Sequence, residues 1–364
     1  MIIDRYLIRE ISKPLVVICT ILVVIFASYE AADYLAAAAA GLLSGKTVIY
    51  LILLKVAIGL EVLLPTTLYF SVVVALGRMY TDSEITALSA CGVSIARVVR
   101  AVFYLSLPLA IVVASLSLYV RPWAYEKGYW LKEHAKAELD ISRWKAGNFY
   151  RVRRMNRVVF AEEIDHENNR AKRIFVHSDL GDRVQVIYAK QVYQHVDKKS
   201  GKQVLVFLDG YLYELSRLGD QGHIMKFKQS TMALEPPEIK PVEYKRKAAS
   251  TMRLFRSKKA RDVAELQWRL STPLATILLA LLGVPLSRTA PRQGKYARMG
   301  TAVLIYAVYY NTSAMAKKWV DQGVVGSMPG MWWVNVLLAS LILILLLQPN
   351  FASRWRSRWR RSRV

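Results

Sequence analysis

The stretch LGRMYTDSEITALSACGVS, Leu76 to Ser94, is a short polar segment set between two long apolar runs, Val48 to Leu76 and Val98 to Val120. Thr81 and Glu84 have the Thr-x-x-Glu spacing of a capping box, in which the threonine accepts from the backbone of Glu84 and the glutamate reaches back. That predicts a helix from Thr81, with Ile85, Ala87, Leu88 and Cys91 as its apolar stripe and Gly92 as the residue that stops it. About three turns fall far short of the ~20 residues that cross a bilayer. Two readings stand side by side: a capped linker helix, or a helix lying on the membrane surface as a handle for a soluble partner.

Working outward, apolar runs of spanning length lie near Pro14 to Ala36, Val48 to Leu76, Val98 to Val120, Thr272 to Leu286, Met299 to Met315 and Met331 to Leu347. The expectation is six helices, three on each side of a large insert. The fourth begins earlier, at Ala264 in AELQWRLSTP, which puts Arg269 near the interface; Pro65 predicts a kink in the second, where Lys55 and Glu61 mark a helix that projects from the bilayer or faces protein. The chain is 54% hydrophobic, yet it holds 51 Lys and Arg against 27 Asp and Glu. A net +24 on membrane-grade runs suits a membrane protein that handles anions and argues against a nucleic-acid binder.

The short segments on one side, including the tail from Arg354 to Arg363, carry sixteen Lys and Arg, whereas the opposite loops carry Lys46, Lys317 and Lys318. The positive-inside rule puts both termini and the opening segment in the cytoplasm, so the insert from Arg121 to Trp268 faces outward. Within it, VVFAEEI, RIFVHSDL, VQVIYAKQVYQHV, QVLVFLDGYLYEL and IMKFKQSTMAL alternate with turn signals, giving at least five strands of an all-β sandwich or open barrel. Bulky groups on both strand faces fit either a two-sheet core with exposed aromatics or an internal slot for acyl chains. The insert holds 30 basic and 19 acidic residues, so its surface suits an anionic ligand, although the clusters at Lys245 to Lys247 and Lys258 to Arg261 also fit charge near phospholipid head groups. Residues 1–122 then hold three spans with the short helix at about 81–92, 123–262 the β domain and its linkers, 263–350 three further spans, and 351–364 a basic tail.

Two decoys fall away. GLLSGKT at Gly41 to Thr47 has three residues between its glycines where a phosphate-binding loop needs four, and LAAAAAG follows an apolar core too long for a cleaved signal peptide. Cys19 and Cys91 support neither a disulfide framework nor a zinc site, the five histidines show no ligand spacing, and no nucleophile or metalloprotease motif occurs.

MIIDRYLIREI at the amino terminus, ALGRMYTDSEITALSACGVS at Ala75 to Ser94, AELQWRLSTP at Ala264 to Pro273 and VPLSRTAPRQGKYARM at Val284 to Met299 together resemble the lipopolysaccharide-export permease family LptF/LptG, and its LptF branch in particular. The resemblance implies an α-helical integral membrane protein with six transmembrane helices and an inserted all-β periplasmic domain, a β-jellyroll. It implies a heterodimer with an LptG-like subunit on two copies of an LptB-like ATPase, which holds the ATP and Mg, so that this chain is a non-catalytic subunit without a cofactor of its own. It further implies extraction of lipopolysaccharide from the inner membrane of a Gram-negative bacterium and its passage to the jellyrolls of LptC-like and LptA-like proteins.

In that scheme the opening segment is the coupling helix. Glu84 and Asp82 then offer charge-assisted contacts to the ATPase, and Ile85 and Leu88 the apolar contact, with capping as the competing role for Glu84. Phe26, Tyr29 and Tyr34 on the first span and Tyr306, Tyr309 and Tyr310 on the fifth meet acyl chains or the interface, and interfacial anchoring explains the tyrosines equally well. Lys317 and Lys318 are the expected partners of lipid A phosphates. Glu30 and Asp33 stand near the outward end of the first span, where the family would favour basic residues, so phosphate binding is expected from the fifth span or a partner. The competing class of function is a non-transporting membrane scaffold whose β domain recruits a periplasmic partner.

Overall fold

The structure, a computed structural model, describes residues 2–39, 43–137, 146–152, 157–165, 170–179, 181, 183–196, 203–216, 222–233, 245–288 and 299–361. The tail as far as Arg361 continues helix α9, and the VPLSRTAPRQGKYARM stretch lies largely outside the described residues.

The amino-terminal half holds α1 (Ile2–Ala39), α2 (Gly45–Thr81), α3 (Glu84–Ala90) and α4 (Ile95–Ser115). A π turn at Leu116–Val120 then runs straight into α5 (Arg121–Ala137). The carboxy-terminal half holds α6 (Thr251–Arg256), α7 (Ala260–Leu286), α8 (Met299–Asp321) and α9 (Trp332–Arg361). Among the described residues, α1, α2, the continuous helix Ile95–Glu133 and α7 are long and apolar enough to cross a membrane, and Trp332–Leu347 is a shorter apolar helix. Helix α8, with Asn311, Lys317 and Lys318 along it, is too polar to stand with them on composition alone.

Contacts divide the chain into two compact units, Met1–Tyr29 with Leu53–Gly128 and Tyr244–Val364, and Glu30–Ile52 with Tyr129–Glu243. In the first unit α7 is the central helix: it packs against α4, α8 and α9, and Ala275, Leu279, Ala280, Leu282 and Val284 are all buried. Its Gly283 allows the closest approach, because a Cβ there would meet Val72 Cγ1 of α2 at 2.8 Å.

In the second unit six strands, β1 (Phe149–Val152), β2 (Arg157–Asp165), β3 (Arg170–Asp179), β4 (Arg183–Val196), β5 (Gln203–Ser216) and β6 (Gly222–Ala233), form one antiparallel sheet. The inserted all-β domain is therefore present, but each strand pairs with its sequence neighbours in the order β1-β2-β3-β4-β5-β6. The described strands thus make a meander, without a Greek-key crossover among them.

The sheet folds on itself at one line. In every ladder from β2 to β6 the pairing is interrupted at Glu162, Arg173, Lys190, Asp209 and Lys228, and the same register resumes beyond them. Regular strands expose alternate residues to one face, yet Ala171 and Ile174, and Ala189 and Val192, all lie in the core, an odd spacing that needs a break between them. Arg173 and Asp209 supply it with left-handed backbones, φ 50° and 48°. Residues from both sides of the line, among them Val159, Ile174, Ile187, Leu205 and Phe207, then share one buried core. At the surface Arg173 pairs with Glu162 at 2.6 Å and Glu163 at 2.5 Å; the hydrogen bond from Lys172 and the charges of Lys172 and Arg173 hold the Glu163 carboxyl below the usual range.

An L-residue with a β-branched side chain is strained in the left-handed region by about 1–2 kcal/mol, whereas glycine is not. Asp209→Val should therefore lower the thermal midpoint of the detergent-solubilised protein, and Asp209→Gly should leave it within a degree or two of wild type.

Candidate functional site

The second span carries one acidic side chain that water does not reach. Glu61 is fully buried in α2, and a carboxylate held there without partners would cost several kcal/mol. Ser117, in the π turn, and Arg121, at the start of α5, answer it: their i, i+4 spacing puts both on one side of the continuous helix. Ser117 Oγ donates to Glu61 Oε1 at 2.9 Å, and Arg121 Nη1 donates to Oε2 at 2.6 Å. The other arm of the same guanidinium lies 3.0 Å from Glu265 Oε1 of α7. Glu265 Oε2 in turn accepts from Lys317 Nζ of α8 at 2.8 Å. One chain of charge, Glu61, Arg121, Glu265 and Lys317, thus joins four helices.

Every polar residue from Glu265 to Thr272 in AELQWRLSTP has a partner on another element. Gln267 donates to Ser327 O at 2.7 Å and accepts from Met331 N at 2.9 Å, which fixes the connection between α8 and α9. Trp268 lies under the Lys317 ammonium, 4.6 Å from the ring centroid. Arg269, 0% exposed, donates to the carbonyls of Ala249 (3.0 Å), Lys247 (3.1 Å) and Arg246 (3.4 Å) and to Thr251 Oγ1 (3.0 Å). These belong to the 3-10 turn Arg246–Ala248 and the start of α6, so the strand-to-membrane return segment wraps around one guanidinium. Ser271 accepts from Asn335 of α9 at 2.7 Å, and Thr272 approaches Glu61 at 3.4 Å. Burial first and the neighbouring Arg121 second pull the Lys247 ammonium below the ordinary lysine range, and Lys247 also caps the Tyr125 ring at 5.5 Å.

Beside this network lies a cavity of ≈ 40 Å³ whose walls include Trp268, Thr272, Tyr306, Tyr309 and Tyr310. The three tyrosines named on the fifth span are therefore gathered at one place. Tyr306 shares a 2.5 Å hydrogen bond with Thr66, Tyr309 donates to Asn335 at 3.3 Å, and Tyr310 meets Trp268 edge-on at 6.3 Å. The aromatic residues of the first span do not join them. Phe26 packs against α2, where a Cβ on Gly59 would touch its ring at 2.5 Å, Tyr29 is 69% exposed, and Tyr34 is buried under Lys132 in the other unit. Lys318 is exposed while its neighbour Lys317 is committed to Glu265.

The opening segment departs from its expected cap. Helix α2 runs on through Thr81, so the Thr81 hydroxyl turns back to Gly77 O at 3.0 Å and is not free to cap. A left-handed Ser83, φ 61°, then breaks the helix, and α3 starts at Glu84 without a side-chain cap. Glu84 Oε2 instead accepts from the Tyr6 hydroxyl of α1 at 2.7 Å. The expected stop does hold: Gly92, φ 86°, donates to Ser89 O at 3.0 Å and Val93 N donates to Leu88 O at 3.0 Å, the paired bonds of a Schellman motif. Ile85 is buried, Leu88 half-buried and Asp82 exposed.

A helical membrane protein with an inserted antiparallel β domain and a charge network sealed among its spans is the class these features define. The chain matches the family described as "Lipopolysaccharide export system permease LptF/LptG" over residues 5–348, and it belongs to that family. It is similar to "Lipopolysaccharide export system permease protein LptF" of Escherichia coli strain K12 and to the protein of the same name in Shigella flexneri. Each is 29% identical over 356 residues, covering 95% of this chain and 94% of the relative.

The sequence had pointed to Lys317 but not to its partners. The signal was present, since Glu265 and Arg269 stand at i, i+4 just ahead of an apolar run and Glu61 interrupts another. Removing one partner from a buried ion pair costs about 3–5 kcal/mol. Arg269→Ala should therefore cause the larger fall in thermal midpoint, because it strands four acceptors, whereas Lys317→Ala leaves Glu265 paired with Arg121 and should cost less.

Proposed function

We propose that this chain is the LptF-like permease subunit of an ABC transporter in the bacterial inner membrane, which extracts lipopolysaccharide and passes it through its periplasmic β domain toward the outer membrane. The family match across 5–348 is the observation that carries this reading, because it covers both helical halves and the inserted sheet together. An LptG-like subunit completes the lateral gates, and an LptB-like ATPase dimer supplies ATP and Mg, so that this chain moves lipid without catalysing a reaction. LptC-like and LptA-like proteins receive the lipid from the β domain. Both termini and α3 face the cytoplasm; residues 1–122 and 263–350 form the two membrane halves around the β domain at 123–262.

In the coupling step α3 seats on the ATPase. Asp82 and Glu84 meet a basic partner residue, Leu88 adds apolar contact at the interface, and Ile85 anchors the helix to its own bundle, since Ile85 already packs with Leu7 and Ile11. At the outward side Lys318 is available to a phosphate at once, whereas Lys317 reaches one only by leaving Glu265. Both halves of the sheet share one apolar core, and an acyl chain enters it by parting the two halves.

Glu84→Ala should reduce the amount of ATPase that copurifies with the chain, and full retention would contradict the partner role. Lys317→Ala with Lys318→Ala should weaken binding of lipid A several-fold, and that loss should vanish with dephosphorylated lipid A. Unchanged phosphate-dependent affinity would remove both lysines from the site.

A further inference from the structure

Helix α3 has seven residues, follows a left-handed Ser83 and lacks a side-chain cap. A helix that short does not hold its own direction in water, so what aims Glu84 must come from elsewhere in the fold. It comes from the first turns of α1. Leu7 and Ile11, one helical turn apart, share a buried core with Ile85 of α3 and with Leu76 and Met79 of α2. Polar ties rim that core: Tyr6 donates to Glu84 at 2.7 Å, Arg78 pairs with Glu10, and Arg97 lies 3.8 Å from Asp4. Asp4, Tyr6 and Glu10 of α1 thus hold the residues before, within and after α3.

The chemistry of the middle tie differs from its neighbours. Arg78 is spent on Glu10, which also accepts from Lys13 at 2.5 Å. Glu84 is instead held by a phenol, a neutral donor, which orients a carboxylate without cancelling its charge. One oxygen, Oε2, accepts from Tyr6, which orients the carboxylate relative to α1.

We infer that Tyr6 is a positioning residue, which aims the Glu84 carboxylate at the ATPase and makes α3 and the first turns of α1 one mechanical body. Displacement of α3 by the ATPase then enters the first span directly, and not only through the α2 and α4 helices that flank α3 in sequence. This rests on the permease reading above.

The test uses the full complex reconstituted in lipid vesicles. Tyr6→Phe removes one hydroxyl and keeps the ring. The thermal midpoint should stay near wild type, while lipid released per ATP should fall about three- to ten-fold, the range a single hydrogen bond supports, and copurifying ATPase should fall no further than it does in Glu84→Ala. Tyr6→Phe combined with Glu84→Ala should be no worse than Glu84→Ala alone, because Glu84→Ala already removes the hydrogen bond that Tyr6→Phe removes. Unchanged release per ATP in Tyr6→Phe, or losses that multiply in the double variant, would overturn the inference while leaving the permease reading intact. A wild-type complex that carries no ATPase would overturn the permease reading and this inference with it.

Discussion

The Arg121 guanidinium, shared between Glu61 and Glu265, is the contact on which the membrane unit depends. Each of these side chains would be costly in an apolar interior by itself, and together they tie α2, the third long helix and α7 at one point. The π turn ends one residue before Arg121, and Ser117 and Arg121, at i and i+4, converge on the same carboxylate. From Glu265 the tie passes to Lys317 of α8, and from Arg269, one helical turn on, to the segment that returns from the β domain. Arg121 therefore ties one end of the bundle, and the segment that returns from the β domain is anchored within the same cluster.

That arrangement gives the two ends of the helical unit different physical characters. Around α3 the ties are half-exposed, short-reaching and grouped on the first turns of α1, which suits a joint that must respond to a partner. Around Arg121 they are buried and mutually dependent, which suits a pivot. Lys317 belongs to the pivot by its bond to Glu265 and to the tyrosine-lined cavity by its contact with Trp268. An anion that drew Lys317 away would leave Glu265 with Arg121 and with Arg269, whose Nε lies 3.5 Å from it.

Much of this was legible in the sequence. The helices on each side of the insert, the insert and its strands follow from period and composition, although α8 is too polar to count as a span on composition alone, and Gly92 announced the end of α3 by its place after the apolar stripe. The capping box misled because Thr81 continues α2, and a residue inside one helix cannot cap the next; nothing local distinguishes the two cases. The corner of the sheet was also hidden. It depends on left-handed backbones at Arg173 and Asp209, residue types that carry no glycine-like signal, and on five strands breaking at one line. The charge network was half visible: Glu61 was marked as either projecting from the bilayer or facing protein, but pairing across four helices is tertiary information that a single chain of letters does not contain.

The claim that Arg121 and Glu61 organise the membrane unit as a pair is tested most directly by thermal unfolding, at one scan rate in one detergent, of wild type, Arg121→Met, Glu61→Leu and the double variant. A buried pair whose members act together gives a strongly destabilised Arg121→Met, which leaves Glu61 without a cation, a smaller loss in Glu61→Leu, which leaves Arg121 paired with Glu265, and a double variant more stable than Arg121→Met. Midpoint losses that simply add in the double variant would contradict the account.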